Sequence, residues 1–289
     1  MRVLVIGAAG LLGRALLQEW DSDQRFGASS RDADIRETEQ VHRLLQQFRP
    51  ECTVLTAAYT DVDGCEKNPV RAFQVNRDGA VNVARAVREV GSRLIHISTD
   101  YVFDGSKGAP YEPEDRISPI NVYGQSKAEG EAGIREVMPE SCIIRTSWLF
   151  GANAVGFVPT VVEKARTQKK LRVVDDQRGS PTFNRDLARA IVRLARAGAQ
   201  GTLHVSNSGE CSRYEFACEL VKAAGLTGVT LNPATSDEFP QPARRPAYSV
   251  LSAKGLEKFG VVMRPWQQTL PDYFLDSHHE SHAGNAVTM

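Results

Sequence analysis

Tyr123 and Lys127 lie four residues apart in Asn-Val-Tyr-Gly-Gln-Ser-Lys, a spacing that stacks both side chains on one helix face. A phenol releases its proton at a pH of about 10, too high for efficient transfer at neutrality unless a nearby cation favours the phenolate. The Lys127 ammonium supplies such a cation and can also hold the hydroxyls of a ribose. Upstream, Ser-Thr-Asp-Tyr-Val-Phe-Asp-Gly spans 98–105 at the end of an apolar run. Thr99 there can donate to a substrate carbonyl oxygen, sharing with Tyr123 the charge that develops as a hydride arrives. Asn76, further upstream, can orient such groups or tether a loop.

A hydride needs a carrier, and the chain begins with a pattern that holds one. Gly7, Gly10 and Gly13 follow an apolar run at 3–6 and precede a helical pattern at 11–20. Glycines at that junction allow a tight turn and bring helix N-terminal N–H groups against a pyrophosphate, which the helix dipole also favours. About 20 residues on, an acidic residue usually takes the ribose 2′-hydroxyl of NAD. Here the second strand ends in Ser29, Ser30 and Arg31, with Asp32 next. Two hydroxyls and a guanidinium suit a 2′-phosphate, so NADPH is expected, with NADH possible.

These residues must sit at the ends of strands. Apolar runs at 3–6, 25–29, 53–58, 94–98 and 142–148 alternate with helical patterns at 11–20, 37–48, 70–90 and 123–136. Alternation of this kind implies parallel pairing, and ligands bind at the strands' C-terminal ends. The expected fold is α/β, a Rossmann-type doubly wound parallel sheet over 1–150, with a smaller C-terminal mixed lobe for the substrate. Helix 184–197 and strand 202–205 return to the first domain. Residues 151–183 and 206–275, with helix 158–168, strand 171–174 and Pro233, Pro240, Pro242 and Pro246, form the lobe. Residues 276–289, including His278, His279 and His282, read as a flexible tail whose histidines are solvated.

Composition removes other classes. Thirty-five Lys and Arg balance 35 Asp and Glu in 289 residues, leaving no basic field for nucleic acid. Three glycines within 3–13 argue against a signal segment, and no apolar run is long enough to span a membrane. The five cysteines form no C-x-x-C pair. A cytoplasmic location fits best, with neither a disulfide framework nor a zinc site.

Taken together, Ala-Ala-Tyr-Thr-Asp-Val-Asp (57–63), the 98–105 segment, Arg-Thr-Ser-Trp-Leu-Phe-Gly (145–151), Asp-Asp-Gln-Arg-Gly-Ser-Pro-Thr (175–182) and Pro-Ala-Arg-Arg-Pro (242–246) resemble the dTDP-4-dehydrorhamnose reductases. These belong to the extended short-chain dehydrogenase/reductase superfamily. The resemblance runs from Arg2 to about Tyr273. It implies NADPH-linked reduction of the 4-keto group of dTDP-4-dehydro-6-deoxy-L-mannose to dTDP-L-rhamnose, with Tyr123 as proton donor. By motif match Thr99 and Asp100 touch the sugar and Trp148 packs on it. Gly10, Leu11 and Leu12 lie against the pyrophosphate, Asp34 and Ile35 near the adenine, and Ala58, Tyr59 and Thr60 along the cofactor. Arg244 and Arg245, stiffened by prolines, can supply charge to the nucleotide diphosphate.

One departure stands out. Some members join two subunits through magnesium, held by glutamates just after the glycine turn and after the Asp-Gln-x-Gly-x-Pro-Thr segment. Here those places hold Ala15 or Arg14, and Arg185. Arginine cannot ligate magnesium, so no metal is expected, and monomer and homodimer both stay open. Another nucleotide-4-keto-hexose reductase, a cofactor-retaining epimerase or dehydratase, and a non-catalytic NADP-binding regulatory subunit are the competing readings.

Overall fold

The computed structural model describes residues 1–20 and 24–283, the last six of these by their backbone. Four short apolar strands, β1 (Val3–Ile6), β2 (Arg25–Ala28), β3 (Cys52–Leu55) and β4 (Arg93–Thr99), are followed by β5 (Cys142–Thr146). Between them run α1 (Leu11–Glu19), α2 (Thr38–Phe48), the short α3 (Val62–Lys67) and α4 (Pro69–Phe73), α5 (Ala80–Glu89) and α6 (Val122–Val137). The sheet has six parallel strands. Its order places β4 and β3 at the centre and β2 at one edge.

Alternation along each strand decides which layer covers which face. Val3 and Val5 of β1 point to one side, where α1 brings Leu12 and Leu16. Leu4 and Ile6 point to the other, against Val41 and Leu45 of α2, Val83 and Val87 of α5 and Ile134 of α6. Both faces are therefore buried, as a parallel sheet requires.

After β5 the chain forms β6 (Leu149–Phe150), α7 (Phe157–Thr167), β7 (Lys170–Val174), β8 (Arg178–Gly179) and β9 (Thr182–Phe183). It then returns. Helix α8 (Asn184–Arg196) adds Leu187 and Ile191 to the core beside α1, and β10 (Gly201–His204) pairs with β5 to close that edge. Strand β11 (Cys211–Ser212), α9 (Arg213–Ala223) and β12 (Thr230–Ala234) complete a lobe of two-stranded pairs, β11 with β8, β12 with β7 and β6 with β9. An aromatic cluster of Phe150, Phe183, Phe216, Trp266 and Tyr273 fills it.

Three expectations need correction. The 70–90 helix runs unbroken from Pro69 to Glu89 but is not uniformly α: Gln74–Gly79 forms a π-helical turn between α4 and α5, and Asn76 within it is buried. The strand over 142–148 ends at Thr146, because Trp148 takes a left-handed backbone with φ of 45°. The tail from 276 is not free at its start. Helix α10 (Leu270–Ala283) runs through it, anchored by buried Leu270 and Tyr273 and by Asp276, which accepts from Arg185 Nη1 at 2.8 Å. His278, His279 and His282 lie on that helix where side chains are outside the described part, and 284–289 lie outside it altogether. No described helix is long and apolar enough to cross a membrane.

Candidate active site

The C-terminal ends of the central strands open onto a cleft of 1330 Å³ that the lobe closes from the other side. Its first wall is main chain. Gly7 leaves β1 with φ of +96°, and a Cβ there would stand 2.5 Å from Ala57 N. A Cβ on Gly13 would stand 2.3 Å from the Gly7 carbonyl oxygen. Only glycines let α1 start this close to the turn, with Gly10 as its N-cap residue. Leu11 and Leu12 continue the wall, and Ala58, Tyr59 and Thr60 line it from the end of β3. Such a cradle fits a dinucleotide pyrophosphate, since side chains are excluded and N–H groups face the space.

At the second strand tip Ser30, Asp34 and Ile35 line the cleft, but Arg31 does not. The Asp32 carboxylate accepts from both Ser29 N and Ser29 Oγ at 2.8 Å, closing a turn that leaves Arg31 exposed on the outside. The cations on this part of the wall are Arg36 and Arg71. Arg36 is bound in bidentate fashion to Asp34, which holds the Asp34 carboxyl below its ordinary value. Arg71 lies over the Tyr59 ring at 4.8 Å.

Helix α6 carries the candidate reacting groups. Asn121 caps it, accepting from Gly124 N at 2.8 Å and donating through Nδ2 to the Arg244 carbonyl at 2.8 Å. From this start, Tyr123, Lys127 and Glu131 follow at four-residue spacing, and the last two are fully buried. The Tyr123 phenol shares a hydrogen bond with the Thr99 hydroxyl, which in turn donates to Asp100 Oδ1 at 3.0 Å. Ser249 Oγ donates to the other Asp100 oxygen at 2.6 Å.

Lys127 does not act on the phenol in this arrangement. Its Nζ donates to the Ile97 carbonyl at 2.7 Å and to His96 Nε2 at 3.1 Å, both on β4. Burial pulls the Lys127 ammonium down to about 8, with Glu131 opposing. Burial, and then the Lys127 charge, keep His96 well below its ordinary value and so neutral, able to accept. Burial drives the Tyr123 phenol upward, against the Thr99 hydrogen bond. The expected lowering by Lys127 is thus replaced by an acid that stays protonated at neutral pH. Burial also raises the Asp100 carboxyl to about 6, less what Ser249 and Thr99 take back.

Beneath these groups Glu131 is locked. Arg145 Nε and Nη2 reach its two oxygens at 3.0 and 2.7 Å, with both residues almost wholly inaccessible. Arg145 Nη1 also donates to the Pro113 carbonyl at 3.1 Å. Asn76 has a tethering role: Oδ1 accepts from Tyr59 N at 2.8 Å, and Nδ2 donates to Tyr59 O and to Ser126 Oγ, each at 3.0 Å. It thereby ties the β3 loop to α6.

The lobe supplies the second wall, and it is made of side chains. Trp148 lines the cleft with an edge so close to Gly179 that a Cβ there would lie 2.5 Å from the ring. Arg213, at the start of α9, holds its guanidinium 3.5 Å above the Trp148 ring centroid. Arg213 and Tyr101 were not visible as site residues in the sequence, yet both line the cleft and their side chains hydrogen-bond each other. Arg245 also reaches Tyr101, but its charge is committed to Asp63 through a bidentate pair at 2.7 and 2.9 Å. Arg244 points away: its side chain is exposed outside the cleft, and it contributes only the carbonyl that Asn121 binds.

At the positions where magnesium was considered, Arg185 pairs with Glu19 at 3.2 Å and with Asp276 at 2.8 Å. Among the described residues no group of three or more His, Cys, Asp or Glu is placed to hold a metal.

Comparison with known proteins adds names to this geometry. The family described as RmlD substrate binding domain matches residues 1–278. The spore coat polysaccharide biosynthesis protein SpsK of Bacillus subtilis is 39% identical over 94% of this chain and 96% of its own length. The dTDP-4-dehydrorhamnose reductase of Mycobacterium tuberculosis is 38% identical over 93% of this chain and 91% of its own. A crystal structure of dTDP-4-dehydrorhamnose reductase from Bacillus anthracis in complex with NADP superposes with a TM-score of 0.91 at 38% identity. It covers 95% of this chain and 98% of that one.

Proposed function

The chain belongs to the RmlD substrate binding domain family, that of the dTDP-4-dehydrorhamnose reductases, and on that premise we propose that it reduces dTDP-4-dehydro-6-deoxy-L-mannose to dTDP-L-rhamnose with NADPH. The observation that carries this reading is the Tyr123–Thr99 pair, set with Lys127 in the same cleft as the Gly7–Gly13 turn. Residues 1–150 with 184–205 act as the cofactor domain, and 151–183 with 206–275 as the substrate lobe.

Gly7, Gly10, Leu11, Leu12 and Gly13 would hold the pyrophosphate of NADPH. Asp34 and Ile35 would flank its adenine, and Ala58, Tyr59 and Thr60 its length. When bound, the nicotinamide supplies a hydride. The chain's own work is to place the sugar's C4 carbonyl and to deliver a proton to its oxygen. Tyr123 donates that proton as the C=O bond becomes C–H and O–H, and its burial keeps it protonated until then. Thr99 shares the charge on the same oxygen, Asp100 fixes Thr99, and Trp148 forms a side of the sugar pocket. Lys127, held on β4, directs its remaining proton to the ribose hydroxyls.

Turnover settles the matter. Purified protein given the keto-sugar generated in place is expected to oxidise NADPH faster than NADH, unaffected by EDTA. Tight NADPH binding without turnover on this sugar would overturn the substrate assignment. Turnover on another nucleotide-linked keto-sugar would then identify the neighbouring specificity, and none on any would leave a regulatory subunit.

A further inference from the structure

Arg213 is an unusual cation for a binding cleft. Its guanidinium is stacked on Trp148 at 3.5 Å and lies 5.0 Å from the Phe157 ring. Burial lowers its proton affinity, with Tyr101 and Asp100 opposing. Three other arginines of the lobe are neutralised at close range: Arg245 by Asp63, Arg178 by Glu210 and Glu215, and Arg172 by Glu238. Arg213 makes no ion pair within 4.0 Å among the described residues. Asp100 acts on it only through space, since its two oxygens are taken by Thr99 and Ser249.

A guanidinium has five N–H donors in one plane. Stacking covers the faces of that plane and leaves the donors at its edge, where Tyr101 is a partner. A half-buried, stacked cation with spare donors and no ion-pair partner is completed by an anion with several acceptor oxygens. We infer that Arg213 binds a phosphate of the nucleotide diphosphate, so that the Trp148–Arg213 stack forms one unit that reads both the sugar and the group that carries it. This inference rests on the reading of the cleft as a nucleotide-sugar site.

Arg213→Met keeps a long apolar stem on Trp148 while removing the charge, and Arg213→Lys keeps the charge without the fork. Titration calorimetry with TDP on the NADPH-saturated full chain is expected to show affinity reduced about 10- to 100-fold in Arg213→Met, with a smaller loss in Arg213→Lys. Thymidine, which lacks phosphate, is expected to bind all three proteins alike, and NADPH affinity to stay within about twofold. Equal TDP affinity in wild type and Arg213→Met overturns the inference, whatever happens to turnover. A Met variant that no longer binds NADPH would have lost its fold, and the Lys variant then decides: unchanged TDP affinity there, with altered thymidine binding, also overturns it. If wild-type protein binds NADPH but neither TDP nor the keto-sugar, the nucleotide-sugar reading itself fails and this inference falls with it.

Discussion

The two walls of the cleft are built on different principles. The cofactor wall is main chain brought close by glycine, and its members lie within a few residues of one another at 7–13 and 58–60. The substrate wall is a set of long side chains, Trp148, Arg213, Tyr101 and Arg245, gathered from four distant stretches and fixed by stacking and ion pairing. On the proposed function the glycine turn of the first would select by shape, since nothing bulkier than a backbone fits there, whereas the second would select by charge and contact. Tyr123 and Thr99 stand at the seam.

The sharpest test of that division is a change at the seam alone. Tyr123→Phe is expected to lower kcat on the order of 10² to 10⁴-fold while NADPH and TDP affinities, read by fluorescence and calorimetry, stay close to wild type. A comparable loss of either affinity would show that the walls and the seam are not separable.

Next in size is the support under the helix. Glu131→Ala leaves Arg145 buried without its partner and is expected to cost about 3–5 kcal/mol in denaturant unfolding. If the loss is a few tenths, α6 is held by its cap and packing and not by this pair.

The cofactor wall should respond to volume and not to charge. Gly13→Ala puts a Cβ 2.3 Å from the Gly7 oxygen and is expected to cost about 1–3 kcal/mol in stability, with weaker NADPH binding at any salt concentration. Unaltered binding would mean that the turn gives way, and the contrast between the walls would weaken.

A pH effect follows from Lys127. Its ammonium titrates at about 8, below the free side chain, so the charged form that holds ribose hydroxyls is present below that pH and lost above it. Wild-type kcat/KM for NADPH is therefore expected to fall as pH rises through about 8. A profile flat to pH 9.5 would contradict this role. The smallest effect belongs to Arg31→Ala, which should leave the preference between NADPH and NADH within about twofold, because the side chain stands outside the cleft.

The same contrast explains what could be read in advance. The glycine turn, the Tyr123–Lys127 spacing and the strand and helix alternation are local, so residue order alone exposes them. Arg213 and Tyr101 meet only because β11 pairs with β8 and sets α9 across the cleft from β4, a long-range event with no local signature. Arg31 looked suitable by type and position, yet it is exposed and absent from the lining of the cleft, in the turn that Asp32 closes onto Ser29. Arg244 and Arg245 were equivalent on paper; folding gave one to solvent and the other to Asp63. The helix over 70–90 was sound in periodicity, but a π turn is invisible to a count of apolar positions.

Strand β10 has a consequence for how the chain is made. It covers the edge of β5, yet it lies behind the whole 147–183 excursion, so a nascent chain that has emerged only as far as 150 displays an unpaired, buried-type strand edge. Synthesis must continue past His204 before that edge is capped, and throughout that interval the half-made sheet is a template for pairing with its neighbours on the polysome.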